Sequence, residues 1–251
     1  MVCISSSIDN FRDKILGKYG RNVWSIATLR NPTVFFGMYH WVDYLRLAVH
    51  RGFKEVFWCG SDILNLSKRP FWQFVIRKIH AAHTCENEVE QKMLASMGIH
   101  ARVAPRMFDT LFKPEICYQH SKKPHVFLTT HEDRVNYAEK YAPEVSDVTF
   151  HVYGIEGSSH DNVVYHGKVS NEQFNTEIRN YQAALRPEPF DGFSESVAKS
   201  ILLGQYPITG IKYSFIEHGG TDKQIISHLN NLKAKTSSNR AGFNHWLKIL
   251  T

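Results

Sequence analysis

The residues most suited to chemistry lie in one segment of the chain, residues 185–208. Its order predicts a buried strand that ends at Arg186, a polar turn with Gly192, and a helix whose first turn carries Ser194 and Ser196. Free N–H groups at a helix start attract phosphate, and the two hydroxyls can add donors. Arg186 falls where open α/β sheets bind ligands. An equally good interpretation is that Ser194 only caps the helix and Arg186 only pairs with a nearby acid.

Two more residues, both in the first half, could act as a general base. His40 follows a predicted strand at 33–38 and Asp62 follows another at 54–59, so both fall at carboxyl ends of strands. Loop residues at such positions carry function more often than core residues do, and a base must lie within hydrogen-bond reach of the proton that it takes. Each also has a structural interpretation, because His40 can begin a helix and Asp62 can cap a turn.

Metal ligation is not predicted. His80, His83 and Cys85 fall within six residues, but no acidic partner or distant ligand pair completes a tetrahedral set. The four cysteines are widely spaced and include no CxxC pair, so neither a zinc site nor a disulfide framework is expected. A reducing, cytoplasmic location is the matching expectation, since the N-terminus also lacks the pattern of a secretory signal.

Short apolar runs alternate with amphipathic stretches in the first half, which predicts strands and helices in turn. The predicted strands cover residues 33–38, 54–59, 80–85 and 101–104, and the predicted helices cover 41–50, 71–79 and 86–97. The first of these helices places five apolar residues on one face, which is expected to be buried. They are Trp41, Tyr44, Leu45, Leu47 and Ala48.

The alternation restarts after a linker at 107–124 that contains prolines. The predicted strands cover residues 125–129, 148–153, 163–166, 182–186 and 206–209, and the predicted helices cover 135–141, 170–180, 194–203 and 244–250. Ser170 and Gln173 fit a capping box at one helix start. This β-α rhythm implies parallel, doubly wound sheets. We therefore expect an α/β protein with halves at 1–120 and 121–235, followed by a helical segment at 236–251.

The composition is typical of a soluble globular protein. The chain has 251 residues, of which 43% are apolar, and no apolar run approaches the roughly 20 residues that span a bilayer. Lys and Arg outnumber Asp and Glu by 30 to 24, which favours phosphate-bearing partners. The basic residues are too dispersed to predict a nucleic-acid face. Arg69–Lys78 is a basic, aromatic helix that suits either the core or an anionic membrane surface.

The segment at 185–208 resembles the donor-binding segment of GT-B glycosyltransferases, especially the retaining group-1, family-4-like enzymes. Their pattern has an acidic residue, a glycine-containing turn, a second acidic residue eight positions later on a helix, and a Gly-x-Pro step. Asp191 takes the first acidic position, and the Gly-x-Pro step is one residue longer here, at 204–207. Lys199 departs from the pattern at the second acidic position, which in the family holds the donor ribose. A lysine can donate to hydroxyls or pair with phosphate, but it cannot accept a hydrogen bond.

The resemblance extends loosely over residues 33–210 and implies both a fold and a site. The implied fold has two Rossmann-like parallel-sheet halves that face a cleft, with a shortened first half on which the segment 236–251 packs. The second half would bind the donor without metal or cofactor, since side chains and helix N-termini neutralise the diphosphate. The residues expected to bind the donor are Arg134, Arg186, Asp191, Gly192, Phe193, Ser194, Ser196 and Lys199. His40 and Asp62 are the expected catalytic residues.

The implied function is transfer of a sugar from a nucleotide-diphosphate-sugar to a hydroxyl of a glycan or a lipid-linked acceptor. Such a hexosyltransferase would serve polysaccharide biosynthesis, and peripheral contact with a membrane would suit a lipid-linked acceptor. No nucleic-acid partner is predicted, and the sequence predicts no oligomeric state. Two alternatives stay open. One is a non-catalytic or partner-dependent nucleotide-sugar-binding module, which the shortened first half and Lys199 favour, and the other is a basic nucleic-acid-binding α/β protein.

Overall fold

The computed structural model describes residues 1–131, 135–159 and 161–250. The chain divides into two compact units. Unit 1 comprises Met1–Leu111 together with Phe190–Phe193, and unit 2 comprises the rest of the chain from Phe112 onward. The short segment Phe190–Phe193 therefore belongs to unit 1 although its neighbours in sequence belong to unit 2.

Unit 1 contains a sheet of five strands that pair in sequence order, all of them parallel. The strands are β1 (Val2–Ile4), β2 (Thr33–Phe36), β3 (Lys54–Phe57), β4 (Ala82–Cys85) and β5 (Arg102–Val103). The helices are α1 (Arg12–Tyr19), α2 (Trp41–Val49), α3 (Ser61–Ser67), α4 (Pro70–Lys78) and α5 (Glu88–Ser96), with 3₁₀-helices at Ser6–Phe11 and Ile26–Thr28.

Alternating side chains of these strands enter two separate apolar clusters, as the two-residue period of a strand requires. Phe35 and Val56 pack in the cluster that α2, α3, α4 and α5 cover. Their neighbours Phe36 and Phe57 pack in the other cluster, with Ile15 of α1. Both faces of the sheet are thus covered, as is typical of parallel sheets.

Unit 2 contains a second parallel sheet, of six strands in the order β11-β10-β9-β6-β7-β8. The strands are β6 (His125–Thr129), β7 (Thr149–Tyr153), β8 (Val163–Gly167), β9 (Ala183–Arg186), β10 (Ile208–Thr209) and β11 (Glu217–His218). The chain builds outward from β6 to β7 and β8, then returns to place β9 on the other side of β6. The strand order therefore reverses between β6 and β9, and such switch points are where open α/β sheets bind ligands.

Helices accompany the sheet of unit 2 along the described part of the chain. They are α6 (Tyr137–Tyr141), α7 (Asn171–Glu177), α8 (Glu195–Ile201), α9 (Asp222–Asn231) and α10 (Arg240–Leu250), with 3₁₀-helices at Ala142–Glu144, Ile178–Asn180 and Leu232–Ala234. The core of this unit joins side chains of β6 to β10 with those of α6 and α9. Helix α10 packs beside α8 within the same unit. Trp246 anchors α10, because it is buried and its indole Nε1 donates to the Ser214 carbonyl at 2.8 Å.

The predicted α/β class with two parallel sheets is confirmed, and two local predictions are wrong. Trp41, Leu45 and Ala48 are exposed rather than buried, because Asp43, Tyr44 and Leu47 form the inner face of α2. The Ser170 side chain accepts from the Gln173 N–H at 3.1 Å as a cap should, but the Gln173 side chain donates to Glu177 instead of reaching back. The predicted packing of 236–251 on the first half stays a prediction.

Candidate functional site

Arg186 is the central side chain at the carboxyl edge of the unit 2 sheet. It ends β9 beside β6, at the point where the strand order reverses. Its Nη1 donates to the carbonyl of Thr129, the last residue of β6, at 3.3 Å, and its Nε lies 3.3 Å from Glu188 Oε2. The guanidinium is therefore anchored across the switch point, in the position that the sequence predicted for it.

Glu188 is the nearby acid with which the alternative interpretation paired Arg186, although the sequence analysis did not name this residue. Its side chain is only 18% exposed and that of Arg186 only 13%, so the ion pair is screened far less than a surface pair. The available signal was spacing, because residues two apart in an extended segment point to the same side. Glu188 holds the guanidinium in place, and it also puts a negative charge beside any anion that Arg186 binds.

Ser194 and Ser196 lie together at the start of α8. Their hydroxyl oxygens are 2.7 Å apart, and the Ser194 side chain makes no capping bond to the helix. Ser194 takes the N-cap position of α8, but the alternative prediction that its side chain caps the helix is wrong. The two hydroxyl groups form a hydrogen bond with each other instead. This bond leaves lone pairs and one hydroxyl proton for another partner.

Lys199 is buried in unit 2, at 2% exposure. Its Nζ donates to Asn171 Oδ1 at 3.2 Å and lies 5.3 Å from the Phe174 ring centroid and 5.6 Å from that of Phe112. Side chains of a helix lean toward its N-terminus, and Asn171 begins α7, so the ammonium is directed to the edge of the sheet where helices start. No feature of the sequence marks Asn171 as its partner.

Asp62 is fully buried in unit 1, which differs from the setting expected for a base. Its Oδ2 accepts from the Met38 N–H at 3.0 Å and its Oδ1 from the Cys59 N–H at 3.0 Å. Those two N–H groups follow β2 and β3, so the carboxyl group joins the ends of two adjacent strands. Burial raises the pKa of Asp62 to about 7. This placement favours a structural role, and a catalytic role stays a prediction.

The segment Phe190–Phe193 packs on unit 1 next to two buried glutamates. Glu86 Oε2 accepts from the Phe193 N–H at 2.9 Å, and the Asn87 side chain donates to the Asp191 carbonyl at 2.8 Å. A side chain at Gly192 would collide with the Glu86 carboxylate, which would then have to move from its hydrogen bond with the Phe193 N–H. These contacts explain Gly192 and Phe193 by packing within unit 1, and donor binding by this segment stays a prediction.

Glu90 completes this group of buried acids in unit 1. Its Oε2 accepts from the Glu86 N–H at 2.7 Å, and its Oε1 is buried without a hydrogen-bond partner among the described residues. Burial raises the pKa of Glu90 to about 8, and burial together with the neighbouring Glu90 raises that of Glu86. Both carboxyl groups therefore stay protonated up to a higher pH than ordinary glutamates do.

His40 is the exposed candidate of unit 1. It precedes α2, where its backbone N–H donates to Asp43 Oδ2 at 2.9 Å, and its Nε2 lies 2.9 Å from Ser7 Oγ. A ring that is accessible and positioned through a second residue has the features expected of a general base. Unlike Asp62, His40 needs no rearrangement to meet a substrate from solvent.

Three further expectations concern Arg134, a metal site and a membrane-spanning helix. Arg134, the remaining donor-binding candidate, lies outside the described residues. Within residues 1–131, 135–159 and 161–250 no group of three or more His, Cys, Asp or Glu side chains could hold a metal ion. Across the same residues, no helix has both the length and the apolar character needed to cross a membrane.

Comparison with known proteins adds evidence on the fold. No protein-family model matches the chain, and no curated protein matches it by sequence. Solved structures do match. HepE of Anabaena, in complex with UDP, is similar at a TM-score of 0.65 and 10% identity over 99% of this chain and 93% of that one. Sucrose-phosphate synthase from Thermosynechococcus elongatus is similar at a TM-score of 0.63 and 10% identity, over 98% and 73%.

A third similar structure is the pneumococcal O-GlcNAc transferase GtfA in complex with UDP and GlcNAc. Its TM-score is 0.56 at 13% identity, over 89% of this chain but only 55% of the pneumococcal one. This chain thus spans little more than half of that protein. At such identities the likeness concerns the fold. The chain has a GT-B fold, as the resemblance in the sequence implied.

Proposed function

We propose that this chain is a glycosyltransferase that takes its sugar from a uridine-diphosphate-sugar and binds that donor on unit 2, at the carboxyl edge between β6 and β9. The observation that carries the proposal is Arg186, a half-buried guanidinium anchored at the switch point of the sheet. The GT-B fold supports the reaction class, and the UDP in the HepE and GtfA structures supports the choice of nucleotide.

The chemistry requires stabilisation of the negative charge that gathers on the leaving diphosphate. Arg186 offers a fixed guanidinium, which matches phosphate oxygens in a bidentate manner. The hydroxyls of Ser194 and Ser196 offer neutral donors, and Lys199 offers a second cation from α8. We propose that these groups act without a metal ion, as the sequence predicted.

The acceptor hydroxyl must lose a proton during an inverting transfer. We assign that proton to His40, since Asp62 is fully buried and engaged by two backbone N–H groups. Asp62 instead positions the loops that follow β2 and β3, including the one that leads to His40. The acceptor class proposed is a glycan or lipid-linked hydroxyl.

A nucleotide-sugar-binding module without catalysis is the second candidate. The observation that favours it is the burial of Asp62, Glu86 and Glu90, which keeps these three acids away from an acceptor in solvent. Both candidates share the donor site on unit 2, so donor binding alone does not separate them.

The test is release of UDP from a panel of radiolabelled UDP-sugars, with and without simple glycoside acceptors and with a chelator present. The transferase should release UDP with one sugar and retain its rate with the chelator. We expect His40→Gln to lower the rate about 100-fold or more and to leave UDP affinity unchanged. Ser67→Ala, at the exposed end of α3, is the matched control. Donor binding without any turnover would support the binding module instead.

A further inference from the structure

Helices α2 and α4 of unit 1 expose apolar side chains that their neighbours do not cover. Trp41, Leu45 and Val49 follow one another at four-residue intervals along α2 and are 62%, 46% and 44% exposed. Phe71 and Phe74 stand three residues apart on α4 and are 66% and 53% exposed. Spacings of three and four residues place side chains on one face of a helix. Each helix therefore presents an apolar stripe to solvent.

The two stripes are adjacent. Both helices cover the same face of the unit 1 sheet, and the rings of Tyr44 on α2 and Trp72 on α4 stack at 4.8 Å between their centroids. The buried sides of the helices thus meet each other and the sheet, so the outward sides lie next to each other. We call this surface, formed by Trp41, Leu45, Val49, Phe71 and Phe74, the α2–α4 face.

The segment that carries the α2–α4 face has a net positive charge. Residues 41–81 contain seven Lys or Arg against three Asp or Glu, a net charge of +4 out of the +6 of the whole chain. The acids do not offset the field at the surface, because Asp43 and Asp62 are buried and Glu55 is paired with two arginines at 3.1 Å each. Lys68, Arg77 and Lys78 are exposed beside the stripe of α4.

We propose that the α2–α4 face docks this protein on an anionic lipid surface. Aromatic and aliphatic side chains enter the boundary between headgroups and acyl chains, while flanking lysines and arginines meet anionic headgroups. The combination of exposed Trp and Phe with unopposed positive charge matches that surface. It does not suit a second copy of this chain, because two faces of the same charge repel each other. Docking requires neither donor nor acceptor, so its test is independent of the proposed function.

The test is cosedimentation of the full chain with vesicles of phosphatidylcholine alone or mixed with phosphatidylglycerol, at low and at high salt. We expect binding to the mixed vesicles and little to the neutral ones, with weakening in high salt. Each basic residue near an anionic surface contributes about fivefold in affinity, which corresponds to about 1 kcal/mol. The triple variant Lys68→Gln, Arg77→Gln, Lys78→Gln should therefore bind about 100-fold more weakly.

A second variant, Phe71→Ala with Phe74→Ala, separates insertion from simple charge attraction. We expect it to weaken binding about tenfold through lost burial of the two rings. The matched controls are Phe215→Ala, an exposed ring of unit 2, and Lys223→Gln with Lys248→Gln, both exposed; these should bind like the parent chain. Melting curves of all variants check folding.

Three outcomes would overturn the proposal. One is absence of binding to anionic vesicles at low salt. Another is equal binding by the parent chain and both α2–α4 variants, which would move the contact elsewhere. The third is concentration-dependent dimerisation in solution that Phe71→Ala with Phe74→Ala abolishes, since the face would then be an interface between two copies.

Discussion

The buried ionisable groups of the two units differ in kind. In unit 1 they include the carboxyl groups of Asp62, Glu86 and Glu90, which lie where β3 and β4 end and where α3 and α5 begin. In unit 2 they include a lysine, Lys199, and the histidine His151, with no buried Asp or Glu among the described residues. Burial raises the pKa of the three acids and lowers that of His151.

This difference supports the proposal that the phosphate groups of a donor bind to unit 2. The buried carboxyl groups of unit 1 would repel a diphosphate wherever they ionise. The edge of unit 2 offers Arg186 and Lys199 together with two serine hydroxyls. The anchored cations at this edge therefore favour unit 2 for the nucleotide, in agreement with the switch point of its sheet.

Three histidines of unit 2 form a hydrogen-bonded row across β6, β7 and β8. His125 Nδ1 lies 2.8 Å from His151 Nε2, and His151 Nδ1 lies 2.9 Å from His166 Nε2. His166 Nδ1 then lies 3.4 Å from Glu177 Oε2. Burial, with the two neighbouring histidines, lowers the pKa of His151 to about 3. The middle ring is thus neutral at physiological pH.

The largest effect expected is on the stability of unit 1. Asp62→Ala leaves the buried Met38 and Cys59 N–H groups without acceptors, so the free energy of unfolding of unit 1 should fall by about 3 kcal/mol. Denaturant unfolding followed by tryptophan fluorescence measures it, because Trp24, Trp41, Trp58 and Trp72 lie in unit 1.

Asp13→Ala, at an exposed acid on α1, is the matched control for that variant. We expect the control to unfold like the parent chain, and we expect Asp62→Ala to retain UDP affinity. A variant with parent stability but no sugar transfer would instead return Asp62 to the role of base.

Asp62 of unit 1 and His151 of unit 2 should also contribute to the pH dependence of stability in opposite directions. The folded pKa of Asp62, about 7, exceeds its unfolded value of 3.8. The contribution of Asp62 to the stability of unit 1 is therefore complete below about pH 4 and is lost as the pH rises through 7. Within that window the loss is about 1.4 kcal/mol per pH unit. The folded pKa of His151, about 3, is below 6.5, so stability of unit 2 falls as the pH drops below about 6.5.

Hydrogen exchange read peptide by peptide checks this opposition. Peptides of β3 should lose protection from pH 5 to pH 8 beyond the intrinsic change in exchange rate, while those of β7 should lose it from pH 7 to pH 5. Protection that changes in the same direction in both units would contradict the account.

A smaller effect is expected from Lys199→Met, which keeps the volume of the side chain and removes the charge. Replacing a buried charged group by an apolar one of similar size often costs little stability, so unit 2 should stay folded. UDP affinity should fall about tenfold, because one cation facing the diphosphate is lost. Calorimetry measures it, with Lys223→Met as the control. Unchanged affinity would make Lys199 purely structural.

The smallest effect is expected from His151→Phe. Phenylalanine can keep the stacking on Tyr181, whose ring centroid lies 4.3 Å away, but the row of hydrogen bonds is interrupted. We expect a loss of about 1 kcal/mol at pH 7 and a flatter decline of unit 2 stability below pH 6.5. A decline as steep as that of the parent chain would show that another group causes it.

The sequence predicted the architecture well, because apolar runs bounded by glycine and proline mark strands of a buried parallel sheet. It missed α3, since Gly60, Ser61 and Asp62 were interpreted as a turn. It could not separate the two faces of α2, where polar Asp43 is buried and Trp41 exposed. Burial of Asp43 depends on partners distant in sequence, such as Ser5, whose Oγ donates to it at 2.7 Å.

The candidate site on unit 2 and the candidate bases of unit 1 could be predicted only in part, for a similar reason. Arg186 could be placed, because strand ends and helix starts are visible in the sequence. The burial of Asp62 could not be predicted, since its partners Met38 and Cys59 come from two different loops. Asn171 and Glu188 were missed because contacts of side chains between elements leave no periodic pattern.

The most direct test of the central claim, that unit 2 binds the nucleotide through Arg186, is calorimetric titration with UDP. The parent chain should bind UDP in preference to GDP, CDP, dTDP and ADP, with a chelator present. Loss of charge-assisted hydrogen bonds in Arg186→Ala should cost about 2 kcal/mol, or roughly 30-fold in Kd. Arg240→Ala, an exposed arginine at the start of α10, should bind like the parent chain. Equal UDP affinity in folded Arg186→Ala and the parent chain would contradict the account.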